Sequence, residues 1–188
     1  LAAADDTFAG TVTRAKRVCN SNGLSLLGIS GIYIGLTAEP NVNTGQPPLL
    51  LLQAAAHEMA HQLGIAAEDE AEFTAFLACM RASSPSIRYS GVMQALIRCG
   101  NALHAADAAR YAAIADDCYS DGMRRDLADY NTYWAAFEGP AREAADAAND
   151  GYLKHNAQPS GVQSYGESVD LLLALYAAGG ADALFPVL

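Results

Sequence analysis

Two histidines enclose a glutamate in the segment His57-Glu58-Met59-Ala60-His61. On an α-helix, residues four apart lie one above the other, so both imidazoles can reach the same metal ion. Zn²⁺ is the metal typical of this spacing. Glu58 stands where a carboxylate can take a proton from metal-bound water as a general base. The segment therefore predicts a zinc site suited to hydrolysis.

A third ligand is expected from the acidic residues that follow. Hydrolytic zinc usually takes three protein ligands and leaves one position for water. Gly64 lets the chain turn, and Glu68 or Glu70 could then return to the histidines. The metzincin pattern H-E-x-x-H-x-x-G-x-x-H also has a glycine at position 64, but its third ligand position is Ala67 here. The spacing alone leaves Glu68 and Glu70 as alternative ligands.

The acidic segment Glu68-Asp69-Glu70-Ala71-Glu72 resembles the E-x-x-A-D pattern of the gluzincin peptidases. This resemblance implies that Glu68 is the third ligand and that Glu72 orients a ligand histidine from outside the metal's own shell. A ligand imidazole needs its second N–H held, which a carboxylate does well. This chain has Glu72 where many gluzincins have aspartate.

Other interpretations of the histidine pair predict no catalysis. The two residues could be ordinary core or surface histidines, or they could belong to a closed structural zinc site. Glu58 argues against the structural site, which has no use for a base beside the metal. A di-iron bundle would need a second Glu-x-x-His, and His104 and His155 lack the glutamate. A peptidase-like sensory or binding module that keeps zinc without turnover remains the alternative function.

A donor is also needed for the negative charge that develops on the substrate oxygen. Three downstream side chains could supply it, namely Tyr152, His155 and Tyr165. We take Tyr165 as the first choice of catalytic donor.

Length and charge bound the class of protein. A chain of 188 residues with a net charge of −10 fits one domain over 1–188 and argues against nucleic acid or anionic lipid as a partner. No stretch predicts a membrane span, since the best apolar run, Leu49 to Ala56, is short and contains Gln53. Four separate cysteines permit two disulfides or free thiols. The expected partner is a peptide or protein substrate.

The pattern of elements predicts a mainly α (α+β) fold with a small sheet or hairpin beside the helix that carries the histidines. Gly31–Thr37 is the strong β-like stretch, and it is either an exposed sheet edge for an extended peptide or a structural hairpin. Asn20–Gly23 should end the first helix. Residues 39–48 should form a loop in which Glu39 and Asn41 either contact substrate or make turn hydrogen bonds. Helices are predicted over 5–18, 49–63, 68–81, 87–106, 108–118, 123–137, 140–155 and 164–178.

Longer segments resemble a bacterial membrane-anchored family catalogued as domain of unknown function 3810, a set of predicted zinc peptidases. The resemblance rests on residues 28–33, 37–43, 56–64 and 68–73, and on later pieces over 124–127, 131–134, 149–154, 164–166 and 169–172. It implies a zincin-like fold and a domain outside the cytoplasm. It also implies tethering to the membrane through segments absent from this chain, which begins at Leu1.

Overall fold

A computed structural model of the chain describes residues 13–155 and 164–186, and describes the side chains of 13–151 and 167–186. The fold is mainly helical with one small sheet, as predicted. The strands are β1 (Lys16–Arg17), β2 (Gly31–Ile34) and β3 (Glu39–Val42). The helices are α1 (Ser21–Leu26), α2 (Pro48–Gln62), α3 (Glu68–Met80), α4 (Pro85–Ala106), α5 (Ala108–Cys118), α6 (Asp121–Ala135), α7 (Pro140–His155) and α8 (Ser164–Leu184).

The sheet has the strand order β1-β3-β2, with β1 parallel and β2 antiparallel to β3. Pro40 lies in the central strand, where the missing N–H would normally break a ladder. A proline fits at this position because β1 has only two residues, which pair with Asn41 and Val42, so no residue of β1 lies opposite Pro40. Pro40 is thus paired only with Tyr33 of β2.

Three local predictions were wrong at this end of the chain. Of the helix predicted over 5–18, residues 5–12 lie outside the described part of the chain, and residues 13–18 contain strand β1 instead of a helix. Asn20, predicted to begin a break, caps α1 by accepting a hydrogen bond from the N–H of Gly23 at 3.0 Å. The predicted loop over 39–48 contains β3. Short strands paired at long range leave no local pattern.

Two clusters of buried side chains fix the helices around α2 and α3. Leu49 and Leu50 of α2 pack on Met93 of α4. Phe76 and Met80 of α3 pack with Leu172 of α8 in the second cluster. Because α2 also packs against β2 and β3, this helix is held on several sides at once. A helix so enclosed is a rigid support for the histidines it carries.

The four cysteines are all free thiols, with Cys19 and Cys118 exposed and Cys79 buried.

No helix within the described ranges is both long enough and apolar enough to span a membrane. The helix predicted over 164–178 continues to Leu184, and Gly180 interrupts its regular geometry.

Candidate metal centre

The end of α2 sets the geometry of the histidine pair. The helix begins at Pro48, whose missing N–H costs nothing in the first turn. It ends at Gln62, and Gly64 follows two residues later with φ of +94°, a value that glycine adopts without strain. The N–H of Gly64 donates to the carbonyl of His61, and the N–H of Ile65 donates to the carbonyl of Ala60. This pair of bonds is the Schellman arrangement.

The same turn holds the second imidazole. The Nδ1–H of His61 donates to the carbonyl oxygen of Ile65 at 2.7 Å. A carbonyl only accepts hydrogen bonds, so the proton is on Nδ1 and the lone pair is on Nε2. Gly64 therefore fixes the tautomer of His61 through the position of Ile65. The Nε2 that remains is the atom suited to bind a metal.

Helix α3 begins directly after this turn and places a carboxylate opposite both histidines. The distance from Nε2 of His57 to Oε2 of Glu68 is 3.2 Å, and from Nε2 of His61 to Oε1 of Glu68 it is 3.6 Å. The two Nε2 atoms lie 3.1 Å apart. Ligand atoms of these three residues all lie within 4.8 Å of one another.

These separations fit one zinc ion. Tetrahedral ligands at about 2.0–2.1 Å from zinc lie about 3.3–3.4 Å from each other. The observed distances scatter around that value, at 3.1 Å between the two Nε2 atoms and at 3.2 and 3.6 Å from them to the two different oxygens of Glu68. The donor set of two imidazole nitrogens and one carboxylate is also the set that hydrolytic zinc takes. The three side chains could hold a divalent metal ion.

Glu72 lies one turn after Glu68 and faces the other side of the first histidine. Its Oε2 is 3.2 Å from Nδ1 of His57, and its Oε1 is 4.0 Å from Nε of Arg98. Burial opposes ionisation of Glu72, but His57, Arg98 and Gln94 together lower the pKa of this carboxyl to about 2. These neighbours therefore favour the carboxylate form of Glu72. It can hold the Nδ1–H of His57 and leave Nε2 for a metal.

The histidines have opposite pKa shifts in the absence of a metal. Burial alone would lower the pKa of His57, but the carboxylates of Glu68 and Glu72 raise it to about 10. Burial and the nearby charge of His57 lower the pKa of His61. At neutral pH His57 is therefore the protonated ring of the pair, and a cation bound at its Nε2 would have to displace that proton.

Glu58 is buried on the same helix, with 5% of its surface exposed. Burial raises its pKa to about 7, with a further rise from the charges of Glu68 and Glu72. The charge of His57 and a hydrogen bond from the backbone N–H of Tyr33 oppose that rise. A carboxyl that titrates near neutral pH is suited to accept a proton and pass it on.

A cleft of about 1240 Å³ opens in front of these residues. Its lining includes Tyr33, His57 and Glu58, together with Tyr130 and Trp134 of α6 and Arg142 of α7. The guanidinium of Arg142 lies over the ring of Trp134, 5.5 Å from its centre. The volume exceeds the roughly 300–1000 Å³ of pockets for small molecules.

The remaining predicted site residues lie apart from this group. Glu70, the alternative ligand, is exposed, and it does not belong to the cluster of described residues that could hold a metal ion. Glu39 is bound to Lys16, while the Nδ2–H of Asn41 donates to the carbonyl of Glu39 at 2.9 Å. Tyr165, Tyr152 and His155 lie outside the side chains that the structure describes.

Sequence reasoning missed the residues that support the site from other elements. Gln94 and Arg98 lie four residues apart on α4 and approach Glu72. Their spacing places them on one helix face, but nothing local indicates which helix that face meets. The backbone groups of Tyr33 and Ile65 carry no sequence signal at all.

Comparison with known proteins assigns the chain to a family. The model of a family described as "Protein of unknown function (DUF3810)" matches residues 1–173. The chain therefore belongs to this family, as its sequence segments predicted. No curated protein and no solved structure matches the chain significantly.

Proposed function

We propose that this protein is a zinc-dependent peptidase of the gluzincin type, in which Glu58 is the general base. The observation that carries the proposal is the convergence of His57, His61 and Glu68, whose ligand atoms all lie within 4.8 Å of one another. A zinc ion held there would supply a Lewis acid and an acidified water. The residues of the chain itself supply the base, the orientation of the ligands and a place for the substrate.

Glu58 is the proton carrier in this proposal. Glu58 lies less than one helical turn before His61 on α2. Its carboxyl is buried and has a pKa of about 7. At neutral pH it can accept the proton of the attacking water and later give it to the leaving amine. The Tyr33 N–H holds the carboxylate at the wall of the cleft, where the scissile bond would lie.

The free edge of β2 is the place we propose for the peptide. Asn43 donates its N–H to the carbonyl of Ser30 at 2.9 Å. Because hydrogen-bonded pairs alternate along an antiparallel ladder, the backbone groups of Gly31 and Tyr33 then point away from β3. The N–H of Tyr33 on this edge is bonded to Glu58, so a peptide would pair with the carbonyls of Gly31 and Tyr33. Within the described residues β2 has no partner strand on that side. An extended peptide could add there and present its carbonyl to the metal.

The substrate class and the location of the protein are also proposals. The volume of the cleft favours a peptide or protein over a small metabolite. The family resemblance supports tethering to a bacterial membrane through segments outside this chain, with the domain on the extracytoplasmic side. Fractionation of cells that express the full-length protein tests the membrane tethering, and protease accessibility tests the extracytoplasmic position of the domain.

The deciding experiment compares the wild-type protein with Glu58→Gln on a mixed peptide library, with zinc content measured in both. We expect one zinc per chain in each protein and a loss of hydrolysis of about 10²–10⁴-fold in the variant. Equal rates in both proteins would contradict the role of Glu58. Stoichiometric zinc without hydrolysis by the wild type would favour the alternative, a zinc-binding sensory module without turnover.

A further inference from the structure

We infer that Gly31 is a positioning residue for Glu58, because the absence of a side chain at residue 31 leaves the space that the glutamate occupies. The contact joins strand β2 to helix α2 at the wall of the cleft. Its consequence for reaction rate rests on the proposed function. The contact itself can be tested without any activity.

The distances at this contact leave no room for a methyl group. A Cβ atom placed on Gly31 would lie 2.6 Å from Oε1, 2.7 Å from Cγ and 2.9 Å from Cδ of Glu58. The contact with Cγ is the important one, since this atom is close to the helix backbone and cannot swing away alone. Glu58 is only 5% exposed, so its side chain has little space into which it can move.

The strand cannot yield easily either. Gly31 pairs with Val42 of β3, and Val42 is 6% exposed in the core. Two residues further along β2, the N–H of Tyr33 donates to Glu58. A shift of the strand away from α2 would therefore break that hydrogen bond. The Gly31 space and the Tyr33 N–H together fix the carboxylate from two directions.

Gly31→Ala should consequently displace the carboxylate and leave the three metal ligands in place. A misplacement of about 1 Å in a reacting group can cost about 10²-fold in rate. We expect kcat to fall by about that factor, while KM and zinc content stay within about twofold of the wild type. A merely structural defect would lower the amount of folded, zinc-loaded protein instead.

Gly35→Ala is the matched control. Gly35 follows the same strand, and a Cβ placed on it has no atom within 4 Å. Gly35→Ala thus makes the same glycine-to-alanine change a few residues after Gly31, at a position where the added methyl group meets no other atom. This variant should retain the kcat, zinc content and melting temperature of the wild type.

An activity-independent test is a thermal-unfolding cycle that combines Gly31→Ala with Glu58→Ala. In the wild-type background Gly31→Ala should lower Tm by about 2–10 °C, as overpacking does. In the Glu58→Ala background the loss should shrink to about 1 °C or less, because the clashing side chain is gone. Equal losses in both backgrounds, or an unchanged kcat in Gly31→Ala, would overturn the inference. Coupling in Tm together with an inactive wild type would support the contact and contradict only the proposed function.

Discussion

Oε2 of Glu72 lies 3.2 Å from Nδ1 of His57, on the side of the ring opposite Glu68. This contact determines which ring nitrogen of His57 is left for a metal ion. With Nδ1 facing a carboxylate, Nε2 faces His61 and Glu68, which is the orientation that a metal-ligating imidazole requires. Arg98 and Gln94 of α4 extend the same support to Glu72.

Removal of the Glu72 charge should weaken metal binding without removing a ligand. Partners that orient a ligand histidine typically contribute about 10–100-fold to metal affinity. We expect Glu72→Gln to raise the Kd for zinc by that factor, measured by competition with a chelating dye.

Glu70→Gln is the control for this substitution, since Glu70 is an exposed residue on the same helix. It should bind zinc as the wild type does. A loss of zinc in Glu70→Gln with retention in Glu68→Gln would instead identify Glu70 as the third ligand.

Metal binding should release a proton at neutral pH. The folded, metal-free protein has a His57 pKa of about 10, above the ordinary 6.5. The stabilisation from this protonated form is complete below pH 6.5 and is lost as pH rises through about 10. Zinc requires the neutral ring, so its apparent affinity should rise about tenfold per pH unit between pH 7 and 9 from this residue.

Titration calorimetry in two buffers of different ionisation enthalpy measures that release. At pH 8 we expect about one proton per zinc bound from His57. In Glu72→Gln the number should fall, because the second carboxylate that raises the pKa of His57 is neutralised. An affinity independent of pH, with no proton released, would contradict this coupling.

The turn after α2 should link stability to metal binding. Gly64 has φ of +94°, where an alanine is strained by about 1–2 kcal/mol. Gly64→Ala should lower the free energy of unfolding by about that amount and weaken zinc binding, because Ile65 would no longer hold His61 in place.

Gly122→Ala is the matched substitution for this turn. Gly122 lies within α6, and a Cβ placed on it meets no atom closer than 3.7 Å. Alanine favours a helix over glycine, so this variant should be neutral or more stable. If Gly64→Ala unfolded in urea like Gly122→Ala, the role assigned to the turn would be wrong.

The buried amide of Asn43 should be important for the stability of the sheet. Its Nδ2–H donates to Oγ of Ser25 at 2.9 Å and to the carbonyl of Ile29 at 3.0 Å, and its Oδ1 accepts from the N–H of Gly45. Asn43→Ala leaves these groups unsatisfied, so we expect a loss of about 2–4 kcal/mol in urea unfolding.

Asn131→Ala, on an exposed position of α6, is the control for that loss. It should change the free energy of unfolding by less than about 0.5 kcal/mol. Similar losses in the two variants would show that the hydrogen bonds of Asn43 do not determine its contribution.

The helices were largely predictable because their signals are local. Pro48 and Gly64 delimit α2, and the bounds of α5 and α7 were predicted to the residue. Strand β3 was missed because Pro40 is typical of loops and its pairing with Tyr33 depends on residues elsewhere. Arg98 and Gln94 were missed for a similar reason, since only the packing of α4 on α3 brings them to Glu72.

The proposed metal centre is tested most directly by the metal content of the purified protein, measured by mass spectrometry after growth with zinc and dialysis. We expect about one zinc per chain in the wild type and less than about one tenth in His61→Ala, with both proteins folded by circular dichroism. A folded wild type that contains no stoichiometric metal, or a His61→Ala variant that keeps all of it, would contradict the account.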